Sequence, residues 1–368
     1  MDSLLRQLKS NLINIPGWKT NRKIVVFESD DWGMQRMASK ASFNRLEKKG
    51  YRVSRLHFDR FDSLESNGDV GRLLELLSVY RDRSGAPAKF TMNMIMGNPD
   101  FDRIRTTGFE KYYHEPFYQT LKRFSDKDEV MDLYREGMQS GCFRMQFHGR
   151  EHVHINRWLA RLRATDRLYL DAFDEGMYAL ESGHLDAMAM YEKADIAIVK
   201  ESIAAGMVLF EQTWGFKSAS IIAPCYTWGD AVEKVWAAKG VEFIQGGRVQ
   251  KRSIVGQEHP RTRRHYTGEK SSEGMRYMIR NVSFEPVTAP RQNWVNTALA
   301  EVATAFRWGK PAIISTHRLN YIGSLVPENS KKNLHLLGTL LGELIRLYPD
   351  MEFLSSDELG GMIASEKE

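Results

Sequence analysis

Two adjacent aspartates and two spaced histidines are the residues of this chain whose types and spacing could do chemistry. Asp30 and Asp31 follow the apolar run "IVVF", and His148 and His152 stand four residues apart in "FHGREHVHINRW". A separation of four places two imidazoles on one side of a helical turn, so that both can reach one metal ion. Each pattern alone has an ordinary explanation, because paired aspartates also favour turns and a histidine pair is common at surfaces. A metal site is expected only if the fold brings the two patterns together.

Alternating strand and helix patterns predict such a fold. Apolar residues at three and four spacing, as in "DAVEKVWAAKG", predict helices between short β-rich runs. This alternation is typical of an α/β protein with a parallel sheet and crossover helices, and seven to eight strands favour closure into a (β/α) barrel. The predicted strands are 23–29, 89–96, 142–148, 218–226, 241–247, 275–285, 311–317 and 351–356.

The candidate residues lie at the ends of predicted strands. Asp30 and Asp31 follow the first strand, His148 ends the third, Tyr226 ends the fourth and His317 ends the seventh. In a parallel barrel the active site gathers at the carboxyl ends of the strands. The sequence therefore predicts that these side chains share one site.

The chain reads as one domain, since no repeat, low-complexity tract or Pro/Gly linker marks a boundary. The expected barrel spans 23–357, with helical insertions near 40–88, 98–130 and 155–205. An amphipathic segment, 1–22, precedes it, and a tail, 358–368, follows it.

Composition excludes several classes of protein. The 368 residues are 42% hydrophobic and 27% charged, which is typical of an ordered globular chain. No apolar run approaches the ~20 residues of a membrane span, and the N-terminal segment lacks the apolar core of a signal peptide. A cytoplasmic location without a transmembrane segment is therefore expected. Two cysteines, Cys142 and Cys225, exclude a disulfide scaffold, so a metal would rely on histidine and carboxylate.

The net charge of +5 includes one dense basic stretch at 247–266. A solvated loop is favoured there over a surface that attracts anions. Nucleic-acid binding is not expected, because neither a binding motif nor an aromatic platform accompanies the charge. The sequence leaves the oligomeric state open.

Four stretches resemble, in their order along the chain, the motifs of the polysaccharide deacetylases, metal-dependent hydrolases that remove acetyl groups from amino sugars. They are the Asp30-Asp31 pair, "HGREH" (148–152), "APCYTW" (223–228) and "AIISTH" (312–317). The resemblance covers roughly 23–357 and implies a distorted (β/α) barrel of about seven to eight parallel strands.

The resemblance also implies roles. Asp31, His148 and His152 would bind a divalent metal, zinc first, with cobalt, nickel or manganese as alternatives. A shell of three protein ligands leaves room for a water and lowers the pKa of that water. Asp30 would be the general base and His317 the general acid. The backbone N–H near Tyr226 would help to hold the oxyanion.

Four further residues are candidate substrate contacts. Trp32 and Trp228 lie beside the motifs and could stack on a sugar face, although buried support is an equal alternative. Arg150 and Asn98 could reach a substrate from loops at strand ends.

The chain departs from the family pattern near "APCYTW". Ala223 stands where the family commonly carries an arginine that orients the base, and Arg280 or Arg318 is expected to replace it. Glu285 is the nearest candidate for the acidic residue that tunes His317.

These observations predict a metal-dependent hydrolase that removes an acetyl group from the nitrogen of an N-acetylated sugar or glycan precursor. The alternatives are a related C–N hydrolase acting on a non-sugar amide or cyclic ureide, and a catalytically silent barrel that binds a glycan. The letters "HGREH" also match an inverted zincin protease motif with Glu151 as base. That reading is disfavoured, because a β-type run and Gly149 flank the first histidine instead of a long helix.

Overall fold

The computed structural model describes residues 2–180 and 184–365, and it pairs a parallel sheet with surrounding helices. The strands are β1 (Ile24–Trp32), β2 (Phe90–Ile95), β3 (Gly97–Pro99), β4 (His114–Pro116), β5 (Phe143–Gly149), β6 (Ser220–Ile222), β7 (Phe243–Gly246), β8 (Val249–Arg252), β9 (Arg261–Arg264), β10 (Arg276–Ile279), β11 (Val282–Ser283), β12 (Ala312–His317) and β13 (Glu352–Phe353).

Helices occupy most of the remaining chain. They are α1 (Asp2–Asn14), α2 (Lys40–Lys48), α3 (His57–Phe61), α4 (Asn67–Val79), α5 (Phe101–Thr106), α6 (Phe117–Leu121), α7 (Val130–Gln139), α8 (Ile155–Arg163), α9 (Arg167–Asp174), α10 (Lys193–Trp214), α11 (Asp230–Ala238), α12 (Trp294–Arg307), α13 (Pro327–Leu347) and α14 (Ser356–Ser365).

The main sheet is parallel and curls until its two ends meet. Its strand order is β10-β7-β6-β5-β2-β1-β12-β11, and β13 pairs with β1. Only two residues separate β10, which pairs with β7, from β11, which pairs with β12. One segment of chain therefore joins both edges of the sheet and closes a distorted (β/α) barrel. This confirms the predicted fold class, and each of the eight predicted strands overlaps a strand of the sheet.

The barrel wall explains why acidic residues occur within a buried strand. All nine residues of β1 are buried, because helices cover the outside of the sheet. Phe27 packs in the main hydrophobic core. Its neighbours along the strand, Glu28 and Asp30, instead contact Arg280 from the linker between β10 and β11. Since successive side chains of a strand point to opposite faces, the acidic residues form a polar cluster on the other face.

The division into an amphipathic segment, a barrel with insertions and a tail stays a prediction. Met1, residues 181–183 of the third insertion and residues 366–368 of the tail lie outside the described residues. Within the described ranges, no helix is both long enough and apolar enough to cross a bilayer.

Candidate active site

Asp31, His148 and His152 lie together, buried at the carboxyl edge of the barrel. Asp31 Oδ1 is 3.3 Å from His148 Nε2 and 3.5 Å from His152 Nε2. One potential ligand atom from each residue falls within 4.8 Å of the others. A carboxylate and two imidazoles at such separations could hold one divalent metal ion.

Backbone geometry turns each of these side chains toward the site. The β1–β2 pairing shifts register between Ser29 and Trp32, and Asp31 has a left-handed φ of 78°. This irregularity lets the adjacent Asp30 and Asp31 face different partners. His148 is the penultimate residue of β5, and its Nδ1 lies 2.9 Å from the carbonyl oxygen of Ile222 on β6. A hydrogen bond at Nδ1 orients the ring so that Nε2, the nitrogen that faces Asp31, would be the ligand atom.

The protonation states of the triad suit a metal. Burial lowers the pKa of His152 to about 4, so its imidazole is neutral at pH 7, as a ligand must be. Burial by itself would raise the pKa of Asp31, but the hydrogen bond with His148 and the nearby histidine charges lower it below its ordinary value. His152 Nδ1 is buried without a hydrogen-bond partner among the described residues. These residues therefore fit a divalent cation.

Asp30 is held by hydrogen bonds from Arg280. Arg280 donates from Nη1 to Asp30 Oδ2 and from Nη2 to Oδ1, each at 2.6 Å, and from Nε to Glu28 at 2.6 Å. Asn93 Nδ2 adds a hydrogen bond of 2.7 Å to Asp30. Burial would raise the pKa of Asp30, but the charge and hydrogen bonds of Arg280 lower it. Asp30 is therefore an ionised carboxylate at neutral pH.

Of the two arginines considered as the partner of Asp30, the structure places Arg280 there. Arg318 turns away and binds Asp62 at 2.9 Å and Glu65 at 2.6 Å in a separate buried cluster.

His317 is paired with a second carboxylate. Its Nδ1 lies 2.6 Å from Glu285 Oε1, and its Nε2 lies 3.7 Å from Asp30 Oδ2. Burial would lower the pKa of His317, but the charge of Glu285, its hydrogen bond and the charge of Asp30 raise the pKa well above its ordinary value. His317 is therefore protonated at neutral pH, which is the form that a general acid requires.

We expect Glu285→Gln to move the alkaline limb of the pH–rate profile to lower pH. The amide keeps an acceptor for Nδ1 but removes the negative charge, while Asp30 and Asp31 still face the ring. The pKa of His317 should then fall by about one pH unit or more, so the acid form is lost earlier as pH rises. The measurement is kcat/KM against pH on a hydrolysed substrate, and the control is the exposed Glu273→Gln. An alkaline limb that stays in place would contradict the role of His317 as acid.

The five groups surround one cavity of about 140 Å³. Asp30, Asp31, His148, His152 and His317 line it together with apolar side chains. The other lining residues are Met34, Arg36, Phe58, Leu185, Ile222, Ala223, Cys225 and Tyr226. The cavity thus sets an ionised carboxylate, a protonated imidazole and a candidate metal shell against a largely apolar wall.

Sequence reasoning did not find Arg36 and Phe58. Arg36 stands five residues after Asp31, and this proximity was the one available signal. Phe58 lies on α3, within an insertion that carries no motif, and its ring meets that of His317 edge-on at 5.6 Å. Such a contact appears only once the insertion is folded.

The turn at Cys225 and Tyr226 lines the cavity in an unusual conformation. Both residues have left-handed φ values, 56° and 55°. The Tyr226 hydroxyl accepts a hydrogen bond from Arg280 (3.1 Å), but its backbone N–H donates to the carbonyl of Ala223 (3.0 Å). The Tyr226 amide is therefore engaged within its own turn, and an oxyanion donor from the backbone near Tyr226 stays a prediction. Burial raises the pKa of the Cys225 thiol to about 12, so it is not a thiolate nucleophile at neutral pH.

The remaining candidate substrate contacts do not line the cavity. Trp32 and Trp228 are buried in the hydrophobic core and donate to Ser29 and Glu233, so their rings support the fold instead of offering a stacking surface.

Two polar candidates are likewise engaged by protein groups. Asn98 is buried and bonds Gln35 and Gly33. Arg150 is buried and binds Glu151 and Glu201. Both positions brace the loops around the site, because their polar atoms face protein instead of the cavity.

The sequence matches no protein-family model and no curated protein. Solved structures similar to this chain include polysaccharide deacetylases and other members of carbohydrate esterase family 4. A protein from Mycobacterium smegmatis assigned as a polysaccharide deacetylase is 11% identical, with 95% of this chain and 93% of that chain covered and a TM-score of 0.44.

Two further structures come from the same esterase family. A family 4 acetyl xylan esterase from Clostridium thermocellum, in complex with cobalt, is 12% identical, with 92% and 91% covered and a TM-score of 0.38. A family pseudoenzyme from Bacillus anthracis is 11% identical, with 92% and 66% covered and a TM-score of 0.38. Similarity at this level concerns overall fold and carries no information on the reaction.

Proposed function

We propose that this protein is a metal-dependent hydrolase that cleaves an acyl group from nitrogen, with an N-acetylated sugar or glycan precursor as substrate. The observation that carries the proposal is the buried Asp31–His148–His152 group, placed in one cavity with an ionised Asp30 and a protonated His317. Neighbouring groups with opposite pKa shifts are typical of an acid–base pair at an active site.

The side chains support amide hydrolysis as follows. A divalent ion bound by the triad would polarise the acyl carbonyl and make a water more acidic. Asp30, fixed by Arg280, accepts a proton from the attacking water as the oxygen–carbon bond forms. His317 gives its proton to the nitrogen as the carbon–nitrogen bond breaks. The products are a carboxylic acid, which ionises, and an amine; exchange with solvent then removes the proton from Asp30 and returns one to His317.

The shape of the cavity agrees with a small acyl group. Met34, Ile222 and Ala223 supply apolar surface beside the candidate metal shell, and the cavity volume is about 140 Å³. This surface suits the methyl of an acetyl group. The carbohydrate part of the substrate is inferred from the motif resemblance, since the cavity itself accounts for the acyl end.

The alternative of a silent binding barrel is credible because Ala223 stands where the family commonly carries an arginine. Arg280 makes the two contacts with Asp30 that such an arginine would make. This contact supports an active hydrolase over a silent barrel.

The test is whether the zinc-loaded protein hydrolyses candidate substrates. We expect about one bound metal per chain and acetate release from at least one member of a panel of N-acetylated sugars, sugar phosphates and short oligosaccharides. A non-sugar N-acetyl amide belongs in the same panel, and a cyclic ureide is added with ring opening as its readout, because its hydrolysis releases no acetate. If only the non-sugar amide or the cyclic ureide were hydrolysed, the protein would be a related C–N hydrolase and the proposed sugar substrate would be wrong. Bound metal without turnover of any compound would overturn the hydrolase.

A further inference from the structure

Arg36 is a buried cation in the cavity wall that the proposed reaction has not used. It is 4% exposed, and its Nη2 donates to Asp59 at 3.1 Å. Its guanidinium also lies 5.4 Å from the centre of the Phe58 ring, and Phe58 in turn packs edge-on against His317. Because Phe58 and Asp59 both belong to α3, this short helix fixes the arginine in the wall of the site.

One N–H group of the Arg36 guanidinium is unpaired in the part of the chain that the structure describes. Arg36 Nε is buried without a hydrogen-bond partner among the described residues. Buried polar groups are normally satisfied, so an unpaired guanidinium N–H beside a cavity would stabilise a ligand atom that reached it. Arg36 lines the same cavity as Asp31, His148 and His152. The guanidinium is thus close to the candidate metal shell.

The reaction needs such a donor. Hydrolysis of an amide places negative charge on the acyl oxygen in the transition state, and enzymes stabilise that oxygen with fixed donors. The Tyr226 N–H, expected to serve, instead donates to Ala223 at 3.0 Å. The Tyr226 N–H is therefore engaged, whereas Arg36, which lines the same cavity, keeps a guanidinium N–H that is unpaired among the described residues.

We propose that Arg36 is a catalytic residue that donates a hydrogen bond to the acyl oxygen of the substrate as charge develops on it. This assignment rests on the proposed hydrolase activity. Asp59, which accepts a hydrogen bond from the guanidinium, is a positioning residue, and Phe58 packs against the guanidinium from the cavity wall.

The test compares Arg36→Gln and Arg36→Ala with wild type and with Arg144→Gln. The control removes an arginine paired with Asp357 at 2.7 Å, at the amino end of β5. We expect Arg36→Gln to lower kcat by about 10²-fold or more, with KM changed less than threefold and metal content unchanged. Added guanidinium should restore part of the rate of Arg36→Ala and none of the rate of a metal-ligand variant. Unchanged kcat, a rise in KM alone or loss of metal would overturn the assignment.

A second readout separates this assignment from the hydrolase proposal. Acetate is titrated into the cobalt-loaded protein and binding is followed by the visible absorption of cobalt. We expect acetate to bind wild type and Arg144→Gln alike and to bind Arg36→Gln at least tenfold more weakly. Arg36-dependent acetate binding without any turnover would overturn the hydrolase and keep Arg36 as a ligand for an acyl oxygen. Turnover with equal acetate affinity and equal kcat in Arg36→Gln would keep the hydrolase and overturn the role of Arg36.

Discussion

Replacing His148 with alanine is expected to remove the bound metal and to lower acyl hydrolysis by more than about a hundredfold. Changes to outer groups of metal sites already cost about 10- to 100-fold, and His148 would be a direct ligand. The Ile222 carbonyl oxygen, 2.9 Å from Nδ1, orients the His148 ring, so alanine removes both the candidate ligand atom and the contact that positions it. Asp31→Asn should behave in the same way, because an amide lacks the charge that attracts the cation.

Metal analysis of the purified variants and acetate release together test this expectation. His154→Gln is the matched control, since His154 lies two residues beyond His152 but faces Asp195 at 3.6 Å. It should keep its metal. Metal retained in both His148→Ala and Asp31→Asn would show that the cation binds elsewhere.

Arg280→Gln is expected to be costly in both stability and activity. The change leaves Glu28 and Asp30 buried without their cation, which typically costs roughly 3–5 kcal/mol. Burial already raises the pKa of Glu28 despite Arg280, so Glu28 should take up a proton in the variant. The pKa of Asp30 should rise as well, because the main lowering influence is gone. The acid limb of kcat/KM should therefore move to higher pH.

Chemical denaturation measures the first effect and a pH–rate profile the second. Arg318→Gln is a useful comparison, because Arg318 is as deeply buried and pairs with Asp62 and Glu65 instead. It should lose comparable stability without moving the acid limb. If the acid limb of Arg280→Gln coincides with that of wild type, Asp30 is not the base.

Local patterns in the sequence predict the barrel well, because strand-forming runs and helical spacing are short-range signals. "AIISTH" and "FRMQFH" give their strands and the histidine at each strand end. The first strand was predicted to end at Ser29, but β1 continues to Trp32. Asp30 and Asp31 therefore lie within β1. Acidic residues are tolerated in a buried strand only when they have buried partners such as Arg280.

Contacts between distant segments were harder to foresee. Arg280 could be considered only as one of two candidates, since its contact with Asp30 spans 250 residues. An aromatic ring such as that of Trp32 can stack on a sugar, and only the packing of the folded chain shows that this ring lies in the core. Arg36 and Phe58 were not predicted, because their place in the cavity wall depends on how an insertion folds over the barrel.

The order in which strands join the barrel divides the site between the two halves of the chain. Asp31, His148 and His152 all lie within the first 152 residues, on or next to β1 and β5, the two strands that flank β2. Arg280, Glu285 and His317 come from the later segments that close the sheet. A chain emerging from the ribosome would thus acquire its candidate metal ligands and the base Asp30 long before Arg280, Glu285 and His317. Until these later segments close the sheet, the candidate metal ligands exist without the arginine that fixes the base and without the histidine that serves as acid.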